Sequence, residues 1–195
     1  MVRMVYLTEG LTDMANERSA VTGKWYQILR QQKDNSCAPA CIRMMGIYVN
    51  GVDPGEGTTR AYVSLAEGGT SSLGGGGVVT QTGHNFTTTP TAPDPMVQAL
   101  KSLRPAINSS YIWEANTTQA LKDKMAEVKP KNEMIIGVYW AGGGGHVVVG
   151  VDRDATSGRI IVADPGYGVR FIESDGSYHP AVGVTGNVVL TVFRQ

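Results

Sequence analysis

The sequence has little that marks a nucleic-acid-binding, membrane or disulfide-rich protein. It holds two cysteines in 195 residues, too few for a disulfide framework, so its fold must depend on packing. Its 17 Lys and Arg residues balance 17 Asp and Glu residues, and this zero net charge removes the long-range attraction to polyanions. No apolar run approaches the length of a transmembrane helix, and the N-terminus lacks the apolar segment of a signal peptide. We therefore expect no nucleic-acid partner and no membrane partner.

Glycine, by contrast, is abundant. The 25 glycines are about twice the usual share, show no collagen period and cluster at Gly74 to Gly77 and at Gly142 to Gly145. The hydrophobic share of 42% is enough for one core. We predict a single domain over residues 1–195, with an N-terminal extension over 1–30 and an irregular Gly/Thr-rich insert over 51–93.

The predicted secondary structure places helices first and strands last. Capping residues, apolar stripes and a proline stop predict helices near 13–20, from Cys37 or one residue earlier to about Gly51, over 94–103 and over 117–128. Runs of β-branched and aromatic residues predict strands over 134–140, 146–151, 159–163 and 188–193. This order predicts an α+β domain with a C-terminal antiparallel sheet.

Cys37 lies where the sequence starts a helix. Asn35 and Ser36 are good N-cap residues, and Pro39 is tolerated only in the first turn. The unsatisfied N–H groups and positive dipole end of a helix start favour a thiolate, so Cys37 is a candidate nucleophile. A cysteine at a helix start is, however, more often a small core residue. Cys41 lies one turn further along an apolar stripe, and we expect it to be a packed core thiol.

His146 and Asp164 lie at the ends of two neighbouring predicted strands. His146 opens the first strand directly after the Gly142 to Gly145 run, and Asp164 closes the second. A hairpin joins the two strands, so the start of the first faces the end of the second. A thiolate nucleophile needs a base and a group that orients the base, and this pair can supply both. The alternatives are a hydrogen-bonded edge histidine and an aspartate that starts a turn before proline.

Four motifs follow one another over about 31–171: the Gln-x5-Cys spacing of Gln31 and Cys37, the Cys-x-x-Ala-Cys helix start, His-Val-Val-Val and Ala-Asp-Pro-x-x-Gly. Together they resemble papain-fold cysteine peptidases, and most closely the double-glycine leader peptidases at the front of bacteriocin-exporting ABC transporters. The resemblance implies a papain-like α+β fold, with an N-terminal helical part and the nucleophile on a helix N-terminus. It also implies Cys37 as nucleophile, His146 as general base and acid, Asp164 as its orienter and Gln31 as oxyanion donor. Gln32 stays open as an alternative to Gln31.

The resemblance further implies a cysteine endopeptidase with a narrow cleft that admits Gly-Gly or similarly small residues before the cut. The chain departs from the family in having Ala38 after the nucleophile, where glycine is usual, and in lacking transporter segments after Phe193. Stand-alone domains of this type resemble toxin domains that bacteria deliver into competitors by contact-dependent or type VI secretion. We therefore expect an effector made in the bacterial cytoplasm without a signal peptide and delivered into the cytoplasm of target cells. Its expected partners are a protein substrate and an immunity protein that blocks the cleft.

Two alternatives to a peptidase stay open. Glutamine deamidation or transamidation shares the acyl-enzyme step with proteolysis, and a non-catalytic binding module would need none of the chemistry. Cys37, Cys41 and the remote His84 make a weak zinc pattern, so we expect neither a metal nor another cofactor. Trp140, next to the glycine run, either lines the cleft beside His146 or packs in the core.

Overall fold

The structure, a computed structural model, describes residues 14–32, 34–66, 70–73, 79–82, 93–103, 110–114 and 118–194. Its helices are α1 (Cys37–Asn50), α2 (Glu56–Ala66), α3 (Pro93–Leu103) and α4 (Thr118–Ala126). Its strands are β1 (Met14–Arg18), β2 (Trp25–Leu29), β3 (Thr70–Leu73), β4 (Val79–Thr82), β5 (Ser110–Glu114), β6 (Met134–Trp140), β7 (Gly145–Arg153), β8 (Ile160–Asp164), β9 (Gly168–Ile172), β10 (Ser177–Ala181) and β11 (Val184–Arg194). No helix in these ranges has the length and apolar character needed to cross a bilayer.

The main sheet is antiparallel and closes on itself. Its seven strands lie in the order β10-β9-β8-β7-β6-β11-β5, and β10 also pairs with β11. This extra pairing joins the six strands from β6 to β11 into a closed ring, to which β5 adds on the outside of β11. Strands β1 and β2 form a separate hairpin, as do β3 and β4.

The predicted papain-like α+β fold is wrong. The described residues are mostly β, with four helices around the closed six-stranded antiparallel sheet. The prediction missed β9 and β10, which are only five residues long and carry turn-forming or strand-breaking residues such as Gly168 and Pro180. Closure also depends on the pairing of β10 with β11, a contact that strand propensity does not encode.

The helix predicted near residues 13–20 is also wrong. Met14–Arg18 forms β1, and each of its residues pairs with one in β2. Strand pairing in the folded protein here prevails over a weak local preference for helix. The structure otherwise places helices and strands at the other predicted segments that it describes. The division into an extension, a core and an insert stays a prediction.

The predicted start and end of α1 are confirmed. The helix begins at Cys37, and Gly51 ends it in the left-handed conformation with φ of 68°, donating its N–H to the carbonyl of Ile47. Glycine adopts this conformation without the steric cost that a Cβ brings.

Helix α1 packs against β7 over the larger of two buried clusters. Met45 from the helix and Val149 and Val151 from the strand belong to this cluster, whereas Val148 faces the second cluster on the other side of the sheet. Near the start of the helix, the Cys41 thiol donates a hydrogen bond to the carbonyl of Val147, with 3.2 Å between sulfur and oxygen. This packing brings the N-terminus of α1 beside the first residues of β7.

Candidate active site

Four separate parts of the chain meet at one open cleft of about 590 Å³. Cys37 comes from the start of α1, His146 from the start of β7, and Gln31 from the segment between β2 and α1. Asp164, the last residue of β8, lies behind His146. The structure therefore brings together all four residues that the sequence singled out.

His146 and Asp164 form a buried hydrogen-bonded pair. His146 Nε2 lies 2.9 Å from Asp164 Oδ1, and the side chains are 8% and 0% exposed. The register explains the contact, because Ala163 pairs with Val149 and so brings the end of β8 beside the start of β7. The predicted proximity of the two residues is confirmed.

The Asp164 carboxylate accepts further hydrogen bonds from its surroundings. The backbone N–H groups of Gly166 and Tyr167 donate to Oδ1 at 2.7 and 3.0 Å, and the Tyr178 hydroxyl donates to Oδ2 at 2.5 Å. Burial raises the pKa of Asp164, but the hydrogen bonds and the charge of His146 outweigh burial and lower it. The carboxylate therefore stays ionised, with its position fixed by three elements of the chain.

His146 is held in the protonated form by its two neighbours. Burial lowers the pKa of His146, but hydrogen bonds to Asp164 and Cys37, together with the charges of both, raise it to about 10. Because Nε2 is engaged with Asp164, Nδ1 is the ring nitrogen left for Cys37. The ring thus bridges a carboxylate and a thiol, which is the arrangement that a thiol nucleophile requires.

The two cysteines differ in their surroundings. Cys37 is half-buried at the helix N-terminus and lines the cleft, whereas Cys41 is fully buried. Burial, with the nearby Cys37 and Asp164, raises the pKa of the Cys41 thiol well above its usual range. A neutral buried thiol is unreactive, so Cys37 is the better nucleophile of the two.

Gln31 faces the cleft near His146 and Asp164. Its backbone N–H donates to the carbonyl of Pro165 at 3.0 Å, and its side-chain Nε2 donates to the carbonyl of Asp34 at 2.9 Å. Gln31 lines the cleft, whereas Gln32 is exposed and is not among the residues that line it.

Aromatic rings line the cleft around His146. Trp140 stacks on the imidazole with 5.3 Å between ring centroids, and the edge of Tyr167 meets both rings. Of the two roles considered for Trp140, the structure shows both, because its ring lines the cleft and is partly buried against the second buried cluster. Gly144 and Gly145 also line the cleft with bare backbone, and Gly144 lies next to Trp140.

The sequence did not point to Tyr178 or to the backbone N–H groups after Asp164. Tyr178 reaches Asp164 because β10 pairs with β9, which places Tyr178 opposite Ile172. The turn after Asp164 carried a usable signal, since an aspartate before proline commonly accepts hydrogen bonds from the next residues.

No family model matches the chain, and no curated protein matches it. The resemblance to double-glycine leader peptidases therefore stays a prediction from four motifs. No group of three or more His, Cys, Asp and Glu side chains in the described ranges is placed to hold a metal ion. His84 and the Gly74 to Gly77 run lie outside those ranges.

Proposed function

We propose that the chain is a cysteine endopeptidase with Cys37 as nucleophile. The observation that carries the proposal is the position of His146, whose imidazole contacts Asp164 on one side and Cys37 on the other at the wall of an open cleft. A nucleophile, a base and an orienting group within hydrogen-bond reach are the components of covalent acyl transfer.

The residues have distinct roles in the proposed reaction. The Cys37 thiolate attacks the carbonyl carbon of the scissile peptide, and the carbonyl oxygen becomes an oxyanion. His146 then gives its proton to the leaving amine as the C–N bond breaks, which leaves an acyl-enzyme on Cys37. Water attacks the acyl carbon while His146 takes one of its protons, and the C–S bond then breaks to free the Cys37 thiolate. The acid product gives its remaining proton to the amine product or to solvent and leaves as a carboxylate. Asp164 keeps the imidazole oriented throughout.

The oxyanion is stabilised by two N–H donors in this proposal. One is the side-chain amide of Gln31, which lines the cleft, and the other is the backbone N–H of Cys37 in the first turn of α1, where N–H groups have no intrahelical partner. A preorganised donor of this kind contributes about 2.7–4 kcal/mol to transition-state stabilisation.

The cleft favours an extended substrate with small residues near the cut. Gly144 and Gly145 expose their backbone on one side, so an extended chain can approach closely. Trp140 and Tyr167 line the same cleft with aromatic rings. The bare glycine backbone supports an extended substrate, and the motif resemblance supports Gly-Gly or similarly small residues before the cut.

We propose an interbacterial effector as the biological setting. The motif resemblance supports this, and the open cleft is accessible to a blocking immunity protein. The substrate in this setting is a protein in the cytoplasm of the target cell. We expect that a small partner protein, coexpressed with the wild-type chain, binds the cleft and relieves growth inhibition.

Glutamine deamidation is the second candidate, because the same site can form an acyl-enzyme from a side-chain amide. Treating a bacterial lysate with wild type and with Cys37→Ala, followed by peptide mass spectrometry, separates the two functions. New peptide termini found only with wild type support proteolysis. Conversion of glutamine to glutamate without new termini supports deamidation instead. If wild type and Cys37→Ala leave identical lysates, the site is not catalytic on proteins of that lysate.

A further inference from the structure

The turn that follows Asp164 is held from outside the sheet by the β1–β2 hairpin and the segment after it. Arg30 Nη1 donates to the carbonyl of Gly166 at 3.2 Å, and the backbone N–H of Gln31 donates to the carbonyl of Pro165 at 3.0 Å. Both carbonyls belong to the turn whose N–H groups, from Gly166 and Tyr167, hold the Asp164 carboxylate.

Glu17 of β1 completes this attachment. Its Oε1 accepts a hydrogen bond from Arg30 Nη2 at 2.6 Å, and its Oε2 accepts one from the backbone N–H of Val169 at 3.0 Å. The contact is so close that a Cβ on Gly168, which has φ of 92°, would overlap the Glu17 carboxylate. The Glu17–Arg30 ion pair thus holds the turn at two points, at Gly166 through Arg30 and at Val169 through Glu17.

We infer that Glu17 and Arg30 are positioning residues for the catalytic pair. They fix the turn between Asp164 and Val169, and through it the carboxylate that orients His146. Neither residue is among those that line the cleft, so their effect on the reaction passes through the turn. This inference rests on the proposed function, and it gives the hairpin, predicted as a mere N-terminal extension, a role in the reaction.

The chain offers a matched control for this ion pair. Arg159 and Glu173 form a similar two-point contact, with distances of 2.9 and 3.1 Å. The side chains of this control pair are 38% and 34% exposed, against 41% and 26% for Arg30 and Glu17. Arg159 precedes β8 and Glu173 follows β9, so the control pair lies at the end of these strands away from Asp164. Arg159→Met therefore removes a comparable ion pair without touching the turn.

The test compares Arg30→Met, Glu17→Gln, Arg30→Lys and Arg159→Met in peptide cleavage. Misplacement of a reacting group by a fraction of an ångström is costly, so we expect kcat to fall about tenfold in Arg30→Met with little change in KM. Glu17→Gln should lower kcat less than Arg30→Met does, because its amide oxygen can still accept a hydrogen bond from the Val169 N–H. Arg30→Lys should restore part of kcat, because lysine keeps the charge opposite Glu17 but loses the forked contact to Gly166. Arg159→Met should keep the wild-type kcat.

A second readout separates positioning from loss of folding and from failure of the proposed function. The rate of Cys37 alkylation by iodoacetamide is measured against pH, and the step that reports His146 deprotonation should move to lower pH in Arg30→Met and stay in place in Arg159→Met. This readout needs no peptide substrate, so it applies even if wild type cleaves nothing. Equal kcat and equal alkylation profiles in Arg30→Met and Arg159→Met would overturn the inference. The inference would also be overturned if the loss of kcat in Arg30→Met matched the fraction of unfolded protein measured by chemical denaturation.

Discussion

Tyr178 donates its hydroxyl hydrogen to Asp164 Oδ2 at 2.5 Å, while His146 contacts Oδ1 of the same carboxylate. The tyrosine ring is fully buried and stacks on Trp140, which itself stacks on His146. The His146–Asp164 pair is therefore contacted by the stacked rings of Trp140 and Tyr178 and by the hydrogen-bonded turn after Asp164. These contacts keep the imidazole in one orientation.

Tyr178→Phe should lower both stability and activity. The variant keeps the stacked ring but removes one hydrogen bond to a buried carboxylate, a loss of about 1.5–3 kcal/mol in the free energy of unfolding. Urea denaturation measures the stability, and steady-state kinetics measures kcat. The matched control is Tyr48→Phe, which removes a 2.6 Å hydrogen bond to the carbonyl of Gln27 away from the cleft. If both variants reduced kcat equally, Tyr178 would have no specific effect on the catalytic pair.

Asp164→Asn should change the pH dependence of the reaction. The Asp164 carboxylate helps to raise the pKa of His146 from 6.5 to about 10, so its loss moves the alkaline limb of kcat/KM to lower pH. We expect kcat to fall by about 10²–10⁴, because the imidazole also loses its orienting acceptor. The measurement is a pH profile of peptide hydrolysis for both proteins. An unchanged alkaline limb in Asp164→Asn would show that Asp164 does not set the protonation of His146.

The same raised pKa predicts a pH dependence of stability. A group whose pKa is raised on folding contributes its full stabilisation below its unfolded pKa, here 6.5. The contribution of His146 should therefore be complete below pH 6.5 and be lost as pH rises towards about 10. Unfolding free energies of wild type and His146→Ala across this range give the test. The difference between the two proteins should shrink with rising pH, and a growing difference would contradict the assigned direction.

Gly144→Ala should impair the cleft, whereas Gly142→Ala should not. Gly144 has φ of 89° and accepts a hydrogen bond from the backbone N–H of Trp140, so its turn positions the ring that stacks on His146. An alanine in this conformation costs about 1–2 kcal/mol. At Gly142 a Cβ meets nothing within 4 Å, and φ is not positive. The unfolding temperature and kcat of the two variants are compared. Equal changes in both variants would show that the positive φ of Gly144 is not important for the cleft.

Iodoacetamide should label one cysteine in the folded protein. Cys37 lines the cleft, whereas Cys41 is buried. The pKa of the Cys41 thiol is raised, and the thiol donates a hydrogen bond to the carbonyl of Val147. Intact mass spectrometry should show a single adduct, mapped by digestion to the peptide region around Cys37. Cys41 should react only after denaturation. Labelling of both thiols at similar rates would contradict the assigned difference in burial.

The sequence predicted the positions of the candidate site residues better than it predicted the fold. Helix-start residues placed Cys37 correctly, and two adjacent strand patterns placed His146 beside Asp164, because both signals are local. Closure of the sheet depends on β11 pairing with both β10 and β6, and the contact of Tyr178 with Asp164 depends on the pairing of β10 with β9. Strands β6 and β11 are far apart in the sequence, and β9 and β10 are short, so local propensity carries little information about these pairings.

The central claim, that Cys37 is the nucleophile of a peptidase, is tested most directly by hydrolysis of a synthetic peptide that spans a site cleaved in the lysate. The peptide is incubated with wild type, Cys37→Ala and Cys41→Ala, and the rate at which new amino termini form is measured for each. We predict no cleavage by Cys37→Ala and a rate near that of wild type for Cys41→Ala, which removes only the buried thiol. Cleavage by Cys37→Ala at the wild-type rate would contradict the account.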